Sequence, residues 1–279
     1  MSNNLYTRNN LQISRLTTNN YSTSFSLGVR MLSRQIHDAI YAIYGFVRYA
    51  DEIVDTFHDY PQQEMLDEFI AETYRAIDRK ISTNPIIDSF QHIVNEYEIE
   101  KEHIDAFLKS MKMDLYHKEY NESMLKEYIY GSAEVVGLMC LRVFYHDDDQ
   151  TYERLKYNAR KLGEAFQKVN FLRDIQSDIS ERGRIYFPEI QHTGFTAEAK
   201  ARIEKDIEKD FKEAFEGIKR LNKDARFGVY LAYIYYKRLF KKIKKAEPSS
   251  IKNNRMRIPN SHKLYLLFKA YLKNSMNLI

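Results

Sequence analysis

The chain has 279 residues, 44% of them apolar, so it is long enough to bury one large core. A net charge of +4, spread along the chain, argues against nucleic acid as a partner. The single cysteine, Cys140, excludes a disulfide framework and a thiolate metal cluster, and favours a reducing, cytoplasmic setting. Neither a secretory leader nor an apolar run long enough to span a bilayer is found, so we expect a soluble or peripheral protein.

The organisation of the chain indicates one domain. It has no linker rich in Gly, Ser or Pro and no internal repeat, and only nine glycines and five prolines interrupt it. Long stretches have apolar residues at three- and four-residue spacing, which is typical of helices. We therefore predict a single all-α domain over residues 1–279.

The predicted helices follow this spacing in chain order. Residues 21–57 form one long helix, or two with a short break, and Pro61 ends this stretch. Further helices are predicted at 62–79, 86–96, 102–118, 128–145, 152–180, 197–225, 228–245 and 263–272. Gly131 and Gly137 lie inside one of them, which suggests the close approach of a ligand or a neighbouring helix.

Two segments, 48–55 and 170–178, each place two aspartates four residues apart. In a helix this spacing puts both carboxylates on one face, where they repel each other. Mg²⁺ is well suited to compensate, because it prefers carboxylate oxygens and water and bridges to substrate phosphates. Two such helices facing each other could hold magnesium ions over a diphosphate.

A single acidic pair of this kind is usually only solvated, but here the pair occurs twice, each time within a mostly apolar stretch. An arginine precedes each pair, Arg48 in the first segment and Arg173 in the second. A guanidinium suits bidentate contact with phosphate oxygens. The alternative for both arginines is a salt bridge to the neighbouring aspartate.

The two acidic segments resemble the two aspartate-rich signatures of the squalene and phytoene synthase family. The first match is Tyr-Gly-Phe-Val-Arg-Tyr-Ala-Asp-Glu-Ile-Val-Asp at 44–55, and the second covers 167–178, followed by Arg-Gly-Arg-Ile-Tyr-Phe-Pro at 182–188. Weaker similarity extends from 21–25 to 255–259. The resemblance implies an isoprenoid-synthase-type helical bundle around a central apolar cavity.

The resemblance also implies roles for individual residues. It makes Asp51, Asp55, Asp174 and Asp178 magnesium ligands, and Arg48, Gln167, Asn170 and Arg173 contacts to diphosphate or to metal-bound water. It places Ser22, Ser24 and Arg255 near a phosphate, Tyr44, Tyr128 and Tyr235 near the substrates, and Asp114 behind the metal ligands. Each tyrosine could instead belong to the core, and the two serines could cap a helix. The family pattern gives no role to the charged Glu134.

The activity implied by the resemblance is magnesium-dependent, head-to-head condensation of two prenyl diphosphates. The motifs look closest to the carotenoid branch, which predicts phytoene from two geranylgeranyl diphosphates through a cyclopropyl diphosphate. The alternative is a C30 synthase that makes dehydrosqualene or squalene from farnesyl diphosphate, with NADPH required only for squalene. A cavity floor blocked near Val136, Met139 or Cys140 would favour the shorter chain. A non-catalytic helical assembly factor is the alternative of another class.

A basic cluster occupies the end of the predicted helix 228–245. It comprises Lys237, Arg238, Lys241, Lys242, Lys244 and Lys245. A solvated helix end is the simpler interpretation, because charge runs usually only face water. Peripheral contact with an anionic membrane is the other one.

Overall fold

The computed structural model describes residues 2–191, 194–253 and 256–275. Within these ranges the protein is built of helices and has no β-sheet, and only an isolated bridge joins Glu119 to Ile185. The predicted all-α fold class is confirmed. None of the described helices combines the length and the apolar character that a bilayer crossing needs.

Fourteen α-helices are found in the described part of the chain. They are α1 (Ser2–Tyr21), α2 (Thr23–Arg30), α3 (His37–Asp55), α4 (Gln62–Arg79), α5 (Pro85–Glu96), α6 (Lys101–Tyr116), α7 (Glu122–Ile129), α8 (Val135–Phe144), α9 (Asp149–Ser180), α10 (Pro188–Gln191), α11 (Ala197–Ile218), α12 (Lys223–Lys244), α13 (Pro248–Asn253) and α14 (Asn260–Ser275). A 3-10 turn, Arg34–Ile36, precedes α3, and a π-helical turn, Tyr130–Glu134, joins α7 to α8.

Most predicted helices are present, with shifted ends. The stretch 21–57 is divided, since α2 ends before the 3-10 turn and α3 begins after it. Helix α9 begins earlier than predicted because the Asp148 side chain accepts a hydrogen bond from the Thr151 amide at 2.9 Å and caps it. The predicted end of the 197–225 helix was too late, because Asn222 caps a new helix, α12, through the Ala225 amide.

Helix α1 was not predicted, because the face that it buries is polar. The Asn10 amide donates to the Asp88 carboxylate at 2.8 Å, and the Ser14 and Ser89 hydroxyls are 2.6 Å apart. Leu16 instead lies 59% exposed, so hydrophobic periodicity gives no signal for this helix. Hydrogen bonds satisfy the buried polar atoms and fix α1 against α3 and α5.

The core has two large apolar clusters, one around α3, α5 and α6 and one around α9, α11 and α12. The π-helical turn joins them by very close packing. A Cβ on Gly131 would lie 2.3 Å from the Ala106 carbonyl oxygen, and one on Gly163 would lie 2.5 Å from that of Ala133. The turn therefore packs directly against α6 and α9. It also carries Glu134, which pairs with Arg160 of α9 at 2.5 Å.

A buried lysine fastens α9 to α11. The Lys168 ammonium lies 2.6 Å from Glu164 and 2.7 Å from Asp210, and it also pairs with Asp206. The carboxylate oxygens of these three acids lie within 4.8 Å of one another, a spacing that could hold a metal ion. Lys168 already supplies the positive charge there, so this cluster acts as an ion-pair clamp that fixes the position of α9.

We expect Lys168→Ala to lower the free energy of unfolding by about 2 kcal/mol, because it leaves the buried Asp210 and the half-buried Glu164 with only Lys161 as a counter-charge. Urea denaturation followed by circular dichroism measures this change. The exposed Lys209 of α11 provides the matched control, since Lys209→Ala should change stability by less than about 0.5 kcal/mol. Equal stability of the two variants would contradict the clamp.

Candidate active site

The two acidic pairs lie on α3 and α9, and the structure brings them together. Arg182, in the loop after α9, reaches both helices: its Nη1 lies 3.0 Å from Asp178 Oδ1, and its Nε lies 3.6 Å from Asp55 Oδ1. Carboxylates 123 positions apart in sequence therefore share one guanidinium. The convergence that the motif spacing predicts is present.

A second arginine from the same loop, Arg184, is buried against the first acidic pair. Its Nη1 lies 2.7 Å from Asp55 Oδ1, and its Nη2 donates to the Val54 carbonyl oxygen at 3.1 Å. Gly183, between the two arginines, has a φ of +66°, a conformation that other residues seldom adopt. This backbone turn lets both arginines contact Asp55.

Asp114 of α6 lies behind Arg184 inside a cage of tyrosine hydroxyls. Tyr128 donates to it at 2.7 Å, Tyr186 at 3.0 Å and Tyr120 at 3.2 Å. Burial raises the pKa of Asp114 to about 6, against the opposing effect of Arg184. The Tyr128 hydroxyl, which the family pattern places near the substrates, thus bonds Asp114 in this structure.

One carboxylate of each pair has a strongly raised pKa. Burial and the neighbouring Asp55 raise the pKa of Asp51 to about 8. Burial, together with Asp174 and Asp55, raises the pKa of Asp178 to about 7 in spite of Arg182. Buried carboxylates that raise one another's pKa are stabilised by additional positive charge. Hard oxygen donors with excess negative charge are a ligand set that fits Mg²⁺.

The arginines that precede the two acidic pairs both form ion pairs. Arg173 pairs with the adjacent Asp174, its Nε lying 3.0 Å from Oδ1, which is the salt bridge considered as the alternative to phosphate contact. Arg48 pairs with Glu52 rather than with an aspartate of the motif. Its guanidinium also lies 4.5 Å from the centre of the Tyr21 ring. Both arginines are half-buried beside the acidic faces, where a diphosphate could be bound.

The N-terminal segment approaches α3 through Tyr44. The Tyr44 ring stacks on Phe25 with centroids 4.5 Å apart, and burial raises the pKa of its hydroxyl to about 12. Ser22 caps α2 by accepting a hydrogen bond from the Phe25 amide at 3.2 Å, as the capping alternative predicts. Ser24 lies half-buried in the first turn of the same helix.

On α9, Gln167 and Asn170 are joined by a hydrogen bond of 3.4 Å one turn before Asp174. The Tyr236 hydroxyl donates to Asn170 Oδ1 at 3.3 Å. The neighbouring Tyr235, which the sequence predicts near the substrates, donates instead to the Lys263 carbonyl oxygen at 2.8 Å. Arg255, predicted to reach a phosphate, lies outside the described residues.

Sequence reasoning assigned no role to several residues of this site. They are Arg182, Arg184, Tyr120, Tyr186, Tyr236 and Tyr21. The Arg-Gly-Arg sequence was a usable signal, because a glycine between two arginines just after the second acidic pair allows both to turn back onto it. Nothing in the sequence distinguishes these four tyrosines from the other tyrosines among the 22 in the chain.

Comparisons with known proteins identify the family to which this sequence is similar. The family model described as "Squalene/phytoene synthase" matches residues 18–262. A 15-cis-phytoene synthase of Synechocystis sp. is 30% identical over 94% of this chain and 84% of its own length. A 4,4'-diapophytoene synthase of Staphylococcus haemolyticus is 23% identical over 95% of this chain and 98% of its own length.

A solved structure shows the same fold. The crystal structure of a dehydrosqualene synthase in complex with ligand superposes with a TM-score of 0.80 at 21% identity, covering 96% of this chain and 98% of that one. The match to the family model over most of the chain identifies it as a prenyltransferase of the kind that acts on prenyl diphosphates. The chain belongs to the squalene/phytoene synthase family.

We expect Arg184→Ala to lower the free energy of unfolding by about 3 kcal/mol, because it leaves Asp55 and the buried Asp114 without their shared cation. Thermal and urea denaturation of the metal-free protein measure the loss. Arg220→Ala, at an exposed arginine after α11, is the matched control and should be nearly neutral. An Arg184 variant as stable as the control would show that this buried pairing is energetically unimportant.

Proposed function

We propose that this protein carries out the magnesium-dependent, head-to-head condensation of two geranylgeranyl diphosphates to phytoene, through a cyclopropyl diphosphate intermediate. The observation that carries the proposal is the convergence of α3 and α9, with Asp55 and Asp178 sharing Arg182. Family membership and the phytoene synthase relative support it. A non-catalytic assembly role is not favoured, because it needs neither acidic pair.

In this proposal the four aspartates Asp51, Asp55, Asp174 and Asp178 hold Mg²⁺. When bound, the metal neutralises the charge that grows on the departing diphosphate. Arg48 and Arg173 exchange their present carboxylate partners for phosphate oxygens, which a guanidinium can bind in a bidentate manner. Gln167 and Asn170 donate amide hydrogens from the same face of α9.

Aromatic rings next to these groups protect the allylic cation. The Tyr44 and Phe25 rings stack on the α3 side, and the Phe166 and Tyr236 rings stack on the α9 side with centroids 3.9 Å apart. A ring face stabilises a desolvated cation by about 2 kcal/mol and excludes water that would capture it. The Tyr236 hydroxyl, bonded to Asn170, fixes its ring close to the diphosphate-binding amides.

A C30 activity is the second candidate. It is favoured by the diapophytoene synthase relative and by the fold shared with a dehydrosqualene synthase. It would use farnesyl diphosphate, and NADPH only if the product were squalene. Of the residues predicted to set the cavity floor, Met139 is fully buried, whereas Val136 and Cys140 are half-buried and pack on the first apolar cluster.

We expect Asp51→Asn and Asp174→Asn each to lower turnover by about a thousandfold or more, since each removes a charged metal ligand. The helical circular dichroism signal should persist, because asparagine has the same size as aspartate and can still accept a hydrogen bond from a neighbouring arginine. Each variant should also lose most of the thermal stabilisation that Mg²⁺ gives the wild type. Asp59→Asn, at an exposed aspartate just beyond α3, is the control and should retain both properties. Unfolding of the Asp51 variant would assign that residue a structural role instead.

We expect purified protein with Mg²⁺ to convert geranylgeranyl diphosphate to phytoene without a reductant. Parallel incubations with farnesyl diphosphate, with and without NADPH, separate the candidates when the products are identified by mass. Turnover of the C15 substrate alone would reject the phytoene assignment in favour of the C30 activity. Turnover of neither substrate would reject both.

A further inference from the structure

Charge is segregated along this chain rather than evenly spread, which corrects the expectation from the net charge. Residues 237–279 contain twelve Lys and Arg and a single acidic residue, Glu247. The other 236 residues contain 31 Lys and Arg and 38 Asp and Glu. The C-terminal region is therefore strongly cationic on a body that is negative overall.

Helix α14, within this cationic region, exposes aromatic residues on its outer face. Its inner face packs with Leu266, Leu267 and Ala270 on the second apolar cluster. On the outer face Tyr265 and Phe268 are 59% and 62% exposed, and Tyr271, at the edge beside Phe227 of α12, is 58% exposed. Because the three rings are spaced three residues apart, they form one stripe along the helix. Scattered single apolar residues are common on protein surfaces, but a contiguous apolar stripe indicates a contact surface.

The stripe is connected to the basic end of α12. The Tyr235 hydroxyl bonds the backbone at Lys263, and the rings of Phe227 and Tyr271 lie 6.4 Å apart, so α14 runs along α12. The Lys242 ammonium donates to the Arg257 carbonyl oxygen at 2.9 Å and joins the basic cluster to the segment that leads into α14.

We propose that this surface, the outer stripe of α14 with the basic end of α12, docks the protein on an anionic lipid bilayer. Tyrosine and phenylalanine rings enter the boundary between headgroups and acyl chains, and lysines nearby bind anionic headgroups. A second copy fits less well, because it would bring two strongly cationic regions together. Nucleic acid would match the charge but not an apolar helical stripe.

The docked orientation places the N-terminal segment close to the lipid. The Lys263 ammonium of α14 donates to the Thr23 hydroxyl at 2.9 Å, and Thr23 follows Ser22, the cap of α2. α2 in turn contacts Tyr44 of α3 through Phe25. Long prenyl chains partition into the acyl layer, so this geometry puts the lipid next to the segment that leads to the candidate active site.

The experiment is flotation of the full chain with phosphatidylcholine vesicles, with and without phosphatidylglycerol. We expect binding only to the anionic vesicles. Tyr265→Ser with Phe268→Ser should weaken it at least about tenfold. Lys241→Gln with Lys245→Gln should weaken it about thirtyfold at low salt, since each lysine near an anionic surface contributes about fivefold. These four side chains are exposed, so both variants should keep the wild-type melting temperature.

The matched control is Tyr60→Ser with Tyr116→Ser, two exposed tyrosines elsewhere on the surface, which should bind vesicles as the wild type does. The proposal is overturned if the wild type does not float with anionic vesicles, or if the α14 variant floats as well as the control. It is also overturned if the α14 variant changes only the oligomeric state or the retention of RNA. Turnover of detergent-dispersed substrate should be unchanged in both docking variants.

Discussion

The structure depends on one electrostatic constraint: the acidic pairs of α3 and α9 meet in a partly buried space, where Asp55 and Asp178 share the Arg182 guanidinium. Without compensation they would force the helices apart, because buried like charges repel strongly. Arg182 and Arg184 relieve this repulsion by contacting Asp55 from one glycine-centred turn. The compensation is incomplete: burial and the neighbouring carboxylates raise the pKa of Asp51 and of Asp178, so both hold a proton more readily than usual. A divalent cation would replace these protons.

The rest of the fold holds these helices in place at some distance from the acidic groups. The Lys168 clamp fixes α9 on α11, and the π-helical turn packs glycine against backbone on both α6 and α9. Asp114 and its tyrosines hold Arg184 from behind. Each of these contacts is either a polar network or a close backbone approach, so α9 has little freedom to slide along its neighbours.

The sequence was sufficient for features that depend on local spacing. The all-α fold, most helices, both acidic pairs and their convergence follow from periodicity and from the paired motifs. The sequence was insufficient where contacts with distant parts of the chain determine the position of a helix or a side chain. Helix α1 buries Asn10 and Ser14 on partners in α5, which no periodicity reveals. Tyr235 and Tyr236 are adjacent in the sequence, and only the packing of α12 determines which one reaches Asn170.

The mode of attachment of α1 has a consequence for handling the protein. The helix is held mainly by buried hydrogen bonds rather than by a continuous apolar interface. Its last residue, Tyr21, lies against the Arg48 guanidinium. Detachment of this helix, by an N-terminal affinity tag or by a protease cut within it, would remove the Tyr21 ring from Arg48. Preparations that differ only at the amino end would then differ in the environment of that arginine.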